Sequence, residues 1–441
     1  MTETIVLGKG LLRSADAPLE WNAGVAIEEG AIVELGANED LIQRHPACDV
    51  LDAHGLVLCP GFVNAHMHAY GVLAHGIPIR DVPGGFDGFL KGFWWPRVED
   101  RLDHRMIGAA FELACIESIR AGVTTFCDVL EAPWVADGSL SVEAEIAERA
   151  GIRVILCVEA SERHGSAVGE RALAENERFV KNVSPHPLID GMQCIHTSFT
   201  CSEDFVRRAK ESADRTGCGI HLHLSESSYE PAEALRRYGI RPTPWYDGIG
   251  FLDGSVLASQ VVDVDAEEID CLARRGVRVV HMPLSNCEVG GGIAPVPDMI
   301  ERGLRPGLGS DGYLNDPFDV MRGAFLLHKA NCRDSSVMPS RTVWSMATSW
   351  GAAAAGHPEL GVLAPGHPAD LIGIDPVTDT PVTTENVLDQ FLLYRRGAHV
   401  QLSMVAGRTL LLGDELITMD EGSVRKRVRQ EAERLWGATN D

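Results

Sequence analysis

The chain is poor in three features: paired cysteines, long apolar runs and positive charge. Its 11 cysteines are scattered without a Cys-x-x-Cys pair, which argues against a short-range disulfide framework and favours reduced thiols. No apolar window approaches the roughly 18–20 residues that span a bilayer, and no basic segment followed by an apolar stretch opens the sequence. We therefore expect a cytoplasmic protein without a membrane partner.

The charge balance excludes a second class of partner. With 39 Lys and Arg against 63 Asp and Glu, the 441 residues carry a formal net charge of −24. This charge would repel nucleic-acid phosphates and anionic membrane surfaces. Because the 45% hydrophobic and 23% charged content is that of an ordinary globular protein, we expect the partner to be a small-molecule substrate.

Short strands at both ends of the chain predict one small domain built from the two termini. Segments with the texture of strands are 5–7, 24–27, 31–35, 369–374 and 400–412. A Glu-Glu-Gly turn joins the second and third of these in a hairpin. We predict a β-sandwich domain formed by residues 1–57 and 365–441, the second part with a terminal helix.

Residues 58–364 alternate apolar strands with amphipathic helices. The predicted helices are 105–121, 141–150, 170–182, 203–216 and 266–275, and the strands after them are 123–128, 154–158, 191–196, 219–224 and 277–281. Repeated α-to-β units favour an α/β fold with a parallel sheet, most of all a closed (β/α)8 barrel of the TIM type. The chemistry of such a barrel lies at the carboxyl ends of its strands.

Two histidines end an apolar strand early in this region. The strand continues into Pro60-Gly-Phe-Val-Asn-Ala-His-Met-His68. Because side chains alternate along a strand, His66 and His68 point to the same side. Both imidazoles can then reach one ion at about 2.0–2.1 Å from each nitrogen.

Polar residues at two later strand ends complete a set of metal ligands. His223 closes the strand 219–224 pointing inward, and Glu226 begins the next loop above an ion held there. Asp311 stands in Gly309-Ser-Asp-Gly312, where small neighbours admit a carboxylate to a crowded barrel mouth. A strand-end Asp can also cap a helix, and a strand-end His can bond a carbonyl. Together, three imidazoles and one carboxylate predict one divalent metal ion, first Zn²⁺, with Fe²⁺ or Mn²⁺ also acceptable.

These motifs resemble those of the amidohydrolase superfamily, in the branch of aminohydrolases and chlorohydrolases that act on nitrogen heterocycles. That branch includes guanine, cytosine and S-adenosylhomocysteine deaminases and s-triazine hydrolases. The segment Leu90-Lys-Gly-Phe-Trp-Trp-Pro96 and the C-terminal region are most similar to SsnA-type aminohydrolases. The resemblance covers almost the whole chain through Pro60–His68, His223-Leu-Ser-Glu226, His281-Met-Pro-Leu-Ser-Asn286, Gly309–Gly312 and Pro368-Ala-Asp-Leu-Ile372.

The resemblance implies a role for each of these residues. The metal ligands would be His66, His68, His223 and Asp311. They would hold a single ion, because the strand that ends at His196 offers no lysine for the carbamylated bridge of binuclear members. Asp311 would also take a proton from the attacking water, and Glu226 would pass a proton to the ring nitrogen beside the attacked carbon. His196 matches a position that contacts substrate.

One position departs from the family pattern. Relatives carry a histidine at the next strand end, where this chain has Leu257-Ala-Ser-Gln-Val-Val-Asp-Val-Asp265. Gln260 takes that place, or Ser259 after a slip of one residue. Glutamine cannot accept a proton near neutral pH, and general acid–base help is worth about 10²–10⁴-fold. Either Asp311 works alone, or another histidine (His281, His221 or His75) takes over, or the protein turns over little.

Substrate contacts are predicted at four residues: His196, Gln260, His281 and Trp94. Trp94 can stack on a planar ring as part of a lid over the barrel mouth, or it packs its loop onto the barrel or a partner subunit. His281 either lines the pocket or is a satisfied core histidine.

The leading functional prediction is hydrolytic deamination of a purine, pyrimidine, pterin or triazine-like ring. The enzyme would be a mononuclear metal-dependent hydrolase of C–N bonds other than peptide bonds. One alternative is hydrolysis of an amide, urea or halide substituent without deamination. The other is a catalytically impaired ligand-binding paralogue that lacks the strand-end histidine. We also expect a homo-oligomer, a dimer or larger.

Overall fold

The computed structural model describes residues 4–79, 84–377 and 379–438. In chain order, its strands are β1 (Thr4–Leu11), β2 (Glu20–Trp21), β3 (Ala23–Glu28), β4 (Ala31–Ala37), β5 (Asp49–Pro60), β6 (Phe62–Met67), β7 (Val123–Leu130), β8 (Arg153–Val158), β9 (Ile189–Gly191), β10 (Gln193–Ile195), β11 (Ile220–Leu224), β12 (Val256–Gln260), β13 (Arg278–His281), β14 (Gly307–Leu308), β15 (Leu371–Ile374), β16 (Val400–Val405), β17 (Arg408–Leu412) and β18 (Glu415–Leu416).

Helices fill most of the connections between these strands. They are α1 (Asn38–Arg44), α2 (Phe86–Phe89), α3 (Trp95–Arg97), α4 (His104–Ala121), α5 (Ser139–Ala150), α6 (Ser166–Val183), α7 (Glu203–Thr216), α8 (Tyr229–Tyr238), α9 (Pro242–Gly248), α10 (Ala266–Arg275), α11 (Pro283–Glu288), α12 (Val296–Glu301), α13 (Pro317–Cys332), α14 (Ser340–Ala347), α15 (Ser349–Ala355), α16 (Val387–Tyr394) and α17 (Glu421–Ala438). Among the helices of the described ranges, none combines the length and the apolar character that crossing a membrane requires.

Both ends of the chain build one nine-stranded sheet in the order β18-β17-β16-β15-β5-β1-β3-β4, with β2 paired to β1. The predicted hairpin is the antiparallel pair of β3 and β4. We predicted a β-sandwich here, and the structure has one continuous sheet. The two halves of this sheet are joined by the long strand β5, which pairs along most of its length with β1 and, near its end, with β15. The domain boundaries given above stay a prediction.

The middle of the chain forms two parallel sheets. Strands β6 to β9 make a four-stranded sheet and strands β10 to β14 a five-stranded sheet, each in sequence order. Isolated parallel bridges pair Met67 with Asp311 and Ala160 with Ile195, at the edges of the two sheets. The α/β alternation predicted from the sequence is therefore present.

The two parallel sheets share an apolar interior. Val63, Cys127 and Ile155 from the first sheet pack in one buried cluster with Leu257 and Val280 from the second. Polar side chains follow these positions toward the carboxyl end of each strand. The site therefore lies directly above a close-packed apolar layer, which holds its strands in place.

Capping residues mark the ends of two helices that adjoin strands near the site. Asp265 and Glu268 form a reciprocal capping box that starts α10 shortly after β12. Gly122, with φ of +84°, ends α4 and turns the chain into β7.

Candidate metal centre and pocket

Three histidines converge at the carboxyl end of the parallel strands. His66 and His68 lie at the end of β6 and His223 lies in β11, and one ligand nitrogen of each is within 4.8 Å of the others. Met67, between the first two, packs into the hydrophobic core on the other side of the strand. The structure thus brings together the three histidines that the sequence predicted as ligands.

His66 shows that this cluster suits a metal ion. Its ring is fully buried, and neither Nδ1 nor Nε2 has a hydrogen-bond partner among the described residues. A buried polar atom left unpaired costs about 1–3 kcal/mol. Burial, with the neighbouring rings of His68 and His223, lowers the pKa of His66 well below its ordinary value. The ring is therefore neutral, which is the form that binds metal ions.

Asp311 is held beside the histidines by its backbone and its side chain. The N–H groups of Ser310 and Asp311 donate to the carbonyl of His66 over 3.0 and 3.2 Å. The backbone of Asp311 is left-handed, with φ of +59°, which is uncommon for a residue other than glycine. Its Oδ1 accepts from the N–H of Gly312 over 2.9 Å and lies 3.2 Å from Nε2 of His68. With the three histidines it forms a donor set that fits a divalent ion.

Gln260, rather than Ser259, reaches into the site. Its Nε2 donates to Oδ2 of Asp311 over 2.8 Å, and Ser285 donates its hydroxyl to the same oxygen over 2.9 Å. Gln260 is itself left-handed, with φ of +74°, and its buried Oε1 has no hydrogen-bond partner among the described residues. Ser259 instead donates to the carbonyl of Leu222.

Glu226 supplies a second acid to the same pocket. Burial, together with the charges of Asp311 and Glu131, raises its pKa well above the ordinary value. A carboxyl group with a raised pKa keeps its proton near neutral pH and can act as a general acid.

The site opens into a cavity of about 450 Å³. His196 lines it, with Nδ1 within 2.8 Å of Oγ1 of Thr200, and burial lowers the pKa of this histidine to about 3. The lining also includes an aromatic wall, which is made of Phe86, Phe89, Phe93 and Trp94. A cavity that combines a largely apolar wall with a few polar groups is typical of small-molecule binding sites.

Comparison with known proteins identifies the family. The sequence profile described as the Amidohydrolase family matches residues 57–410. The chain belongs to the amidohydrolase family. This amidohydrolase is a hydrolase that acts on C–N bonds.

Named relatives cover nearly the whole chain. A 5'-deoxyadenosine deaminase of Methanosarcina barkeri is 34% identical over 429 residues, which cover 95% of each chain. A 5-methylthioadenosine/S-adenosylhomocysteine deaminase of Syntrophobacter fumaroxidans is 34% identical over 413 residues, 92% of each. Among solved structures, a zinc-bound adenosine deaminase of Xanthomonas campestris has a TM-score of 0.90 at 23% identity over 98% of both chains. A zinc complex of atrazine chlorohydrolase from Arthrobacter aurescens has a TM-score of 0.84 at 20% identity, covering 97% of this chain and 100% of its own.

The histidines considered as substitutes for the family histidine lie in three different places. His281 does not line the cavity. It is buried in the core, where its Nε2 lies 3.0 Å from Nε2 of His328. Its predicted role in substrate binding therefore has no support in this amidohydrolase. His221 stacks beneath His66 at 4.9 Å and lies 3.3 Å from Sγ of Cys194. His75 lines the pocket, with Nε2 3.0 Å from the carbonyl of Gly312.

Sequence reasoning missed two carboxylates beside the histidines. Glu131 follows β7, lines the pocket and has Oε1 3.9 Å from Nε2 of His68. Glu159 follows β8, with Oε2 3.3 Å from Nδ1 of His223. Each is the first residue after its strand, as His68 is after β6, so a search of the positions just beyond the strand ends could have located these two.

A buried network surrounds Glu131. The hydroxyl of Tyr70 donates to its Oε2 over 3.0 Å, and Arg163 donates to Glu99 behind it over 2.6 Å. Burial, with the charge of Glu131, raises the pKa of Glu99 and Glu159 well above the ordinary value. Burial acts in the same direction on Glu131, but hydrogen bonds from Glu99 and Glu159 and the charges of His68 and His223 outweigh it and hold the pKa of Glu131 well below that value.

Proposed function

We propose that this amidohydrolase is a hydrolytic deaminase of an amino-substituted nitrogen heterocycle, with adenosine-like purines as the first class to test. The observation that carries the proposal is Glu226, a carboxyl group with a raised pKa that lines the same cavity as His68, His223 and Asp311, beside the cluster of three histidines. Both relatives are named as deaminases of adenosine derivatives, and this supports the choice of purines.

Each residue has a defined part in this reaction. His66, His68, His223 and Asp311 would hold a divalent ion, which would act as a Lewis acid and lower the pKa of water. Asp311 takes the proton of the attacking water. Glu226 delivers its proton to the ring nitrogen beside the carbon that bears the amino group. Water adds to that carbon, and the proton held by Asp311 passes to the amino group, which leaves as ammonia. The added hydroxyl returns a proton to Glu226 and becomes the carbonyl of the product.

His196 and Trp94 position the ring. The neutral His196 offers its second ring nitrogen to a polar edge of the substrate, since Nδ1 is engaged by Thr200. Trp94 presents an aromatic surface to the cavity. Its Nε1 donates to the hydroxyl of Tyr70 over 3.3 Å. A planar heterocycle stacks on such a surface.

Gln260 acts through Asp311 rather than on the substrate proton. Two donors on Oδ2 fix the orientation of the Asp311 carboxylate. Because glutamine cannot accept a proton near neutral pH, we expect the enzyme to favour rings whose amino-bearing carbon is already electron-poor, since these need less activation of water.

Several broader features belong to the same proposal. The shared core and the two isolated bridges support closure of the parallel sheets into a (β/α)8 barrel. The donor set supports one ion per chain, first Zn²⁺, with Fe²⁺ and Mn²⁺ acceptable. A homo-oligomer of two or more copies and a cytoplasmic location complete the proposal.

Ammonia release tests the proposal directly. The purified protein, loaded separately with Zn²⁺, Fe²⁺ and Mn²⁺, is assayed against purine, pyrimidine, pterin and triazine amines, with metal content measured in each sample. Ammonia from at least one ring class is the expected result. Absence of ammonia from every class in metal-loaded protein would contradict deamination, and a product heavier by one water would indicate ring or amide hydrolysis instead.

A further inference from the structure

We propose that Glu159 is a positioning residue of the metal centre. Its carboxyl group accepts a hydrogen bond from the Nδ1–H of His223 and thereby turns Nε2 of that histidine toward the ion. The proposal rests on the proposed function only in that both require a metal ion at the histidine cluster.

Glu159 and His223 meet in the buried part of the site. The Oε2 of Glu159 lies 3.3 Å from Nδ1 of His223. Both side chains are buried, and neither of these two atoms has a hydrogen-bond partner among the described residues. Their separation is just beyond the usual N–H···O range of about 2.7–3.2 Å, so a small shift of either group completes the bond. Because an unpaired buried polar atom costs about 1–3 kcal/mol, one hydrogen bond between them satisfies two such atoms.

The hydrogen bond decides which nitrogen of His223 binds the ion. A neutral imidazole carries a proton on one ring nitrogen and a lone pair on the other. With the proton on Nδ1 and donated to Glu159, the lone pair lies on Nε2. Histidines that bind metal ions almost always donate their other N–H to a carboxylate, a backbone carbonyl or water. A carboxyl group accepts in either protonation state, so the assignment does not depend on the charge of Glu159.

His68 shows the same arrangement within the cluster. Its Nδ1 donates to the carbonyl of Val129 over 2.8 Å, which leaves Nε2 3.2 Å from Oδ1 of Asp311. Val129 lies in β7, and Glu159 directly follows β8. Two neighbouring strands thus each provide an acceptor for one ligand histidine, a backbone carbonyl for His68 and a carboxyl group for His223.

The backbone around Glu159 is well anchored. Its N–H donates to the carbonyl of Leu130 over 2.9 Å. The next residue, Ala160, pairs with Ile195 in an isolated parallel bridge. This bridge connects the first parallel sheet, which leads to Glu159, with the second, which carries His223. A metal ligand keeps its geometry when the groups behind it are held in this way.

His196 is the other possible partner of Glu159. One ligand atom from each of Glu159, His196 and His223 lies within 4.8 Å of the others, so these three could hold an ion of their own. The hydrogen bond is favoured because His223 also belongs to the cluster with His66 and His68. It leaves one nitrogen of His223 for that cluster and gives the other a partner.

The Zn²⁺ affinity of the apoprotein tests the assignment without turnover. Competition with a chromophoric chelator gives the affinity, and metal analysis gives the number of ions per chain. Glu159→Leu removes the acceptor at nearly constant size and should weaken Zn²⁺ binding about 10- to 100-fold. Glu159→Gln keeps a carbonyl acceptor and should bind Zn²⁺ nearly as tightly as wild type. Every variant should still bind one ion per chain.

Two controls separate this effect from a general loss of stability or charge. Glu175→Leu removes a buried carboxyl group from α6, and Glu288→Gln removes a carboxylate from another part of the cavity lining. Both should bind Zn²⁺ as wild type does.

Wild-type affinity in Glu159→Leu, or a loss that Glu159→Gln or Glu175→Leu shares equally, would overturn the proposal. A second ion per chain that both Glu159 substitutions abolish would make Glu159 a ligand and would overturn it too. A crystal structure of the metal-loaded wild type needs no variant to fold, and it should show Nε2 of His223 on the ion. An ion on Nδ1 would contradict the assignment. None of these outcomes depends on ammonia release, so they are separate from the failure of deamination.

Discussion

Gln260 donates a hydrogen bond from Nε2 to Oδ2 of Asp311 over 2.8 Å, at the strand end where the resemblance to the family led us to expect a histidine. This hydrogen bond orients the carboxylate of Asp311. The amide of Gln260 cannot itself accept a proton at neutral pH. The left-handed φ of +74° at Gln260 turns the chain at the end of β12, where the side chain enters the site. The contact thus gives Gln260 the geometry of a residue that positions Asp311.

Replacing Gln260 by leucine tests that role. Gln260→Leu keeps the size of the side chain and removes the donor to Asp311. Because a hydrogen bond to a charged group contributes about 1.5–3 kcal/mol, kcat/KM should fall about 10- to 150-fold. Ser259→Ala is the control, since its hydroxyl bonds the carbonyl of Leu222, and its kcat/KM should stay near wild type. An unchanged or higher rate in Gln260→Leu would show that the contact does not assist the reaction.

Glu226→Gln should remove the proton delivered to the ring. The amide has nearly the same shape but cannot act as a general acid, so kcat should fall about 10²–10⁴-fold. Metal content should match wild type, because Glu226 is not one of the proposed ligands. A rate within a factor of a few of wild type would assign proton delivery to another group.

The pH dependence follows from the raised pKa of Glu226. Its protonated form is the active one, and that form predominates below the pKa. Activity is therefore expected to persist through neutral pH and to fall as pH rises through the raised value. In Glu226→Gln the residual activity should lack this alkaline fall, whereas Glu288→Gln should retain it. An alkaline fall that survives in Glu226→Gln would place the titrating group elsewhere.

Metal removal should lower thermal stability. A ligand at 100 times its Kd stabilises a folded protein by about 2.7 kcal/mol, so chelation should lower Tm and added metal should restore it. His66→Ala should lose this metal-dependent shift, because both ring nitrogens of His66 lack a partner among the described residues and are free to bind an ion. The same shift in His66→Ala and wild type would contradict its assignment as a ligand.

Trp94→Ala should raise KM for planar rings with little effect on kcat. An aromatic contact contributes about 0.5–1.5 kcal/mol beyond area burial, which corresponds to about 2- to 12-fold. Trp134→Ala is the matched control, because this tryptophan is 49% exposed and contacts the ring of His164 outside the pocket lining. A pure fall in kcat for Trp94→Ala would show that it does not act by stacking.

The sequence predicted the histidine cluster because side chains alternate between the two faces of a strand, which fixes the direction of each histidine. His66 and His68 must share a side, and His223 must face inward if its strand ends where the apolar run ends. Five helices were also placed within a few residues, since each has a clear amphipathic pattern and four of them end at a glycine. Helix α8, between β11 and β12, was not predicted.

Glu131 was missed for a specific physical reason. The sequence suggested that the strand ends at Asp128, but β7 continues through Val129 and Leu130. Both added residues are apolar and buried, so no change in pattern marks the true end. The carboxylate that follows them was therefore given no role, although it stands beside His68.

The mass of the product formed in H₂¹⁸O is the most direct test of the central claim. Replacement of an amine by a hydroxyl from water adds about one dalton in ordinary water and about three in H₂¹⁸O, with one ammonia released per product. The account predicts this pair of shifts in metal-loaded wild type and their loss on chelation. A product without solvent oxygen, or the same rate of formation after the metal has been removed, would contradict it.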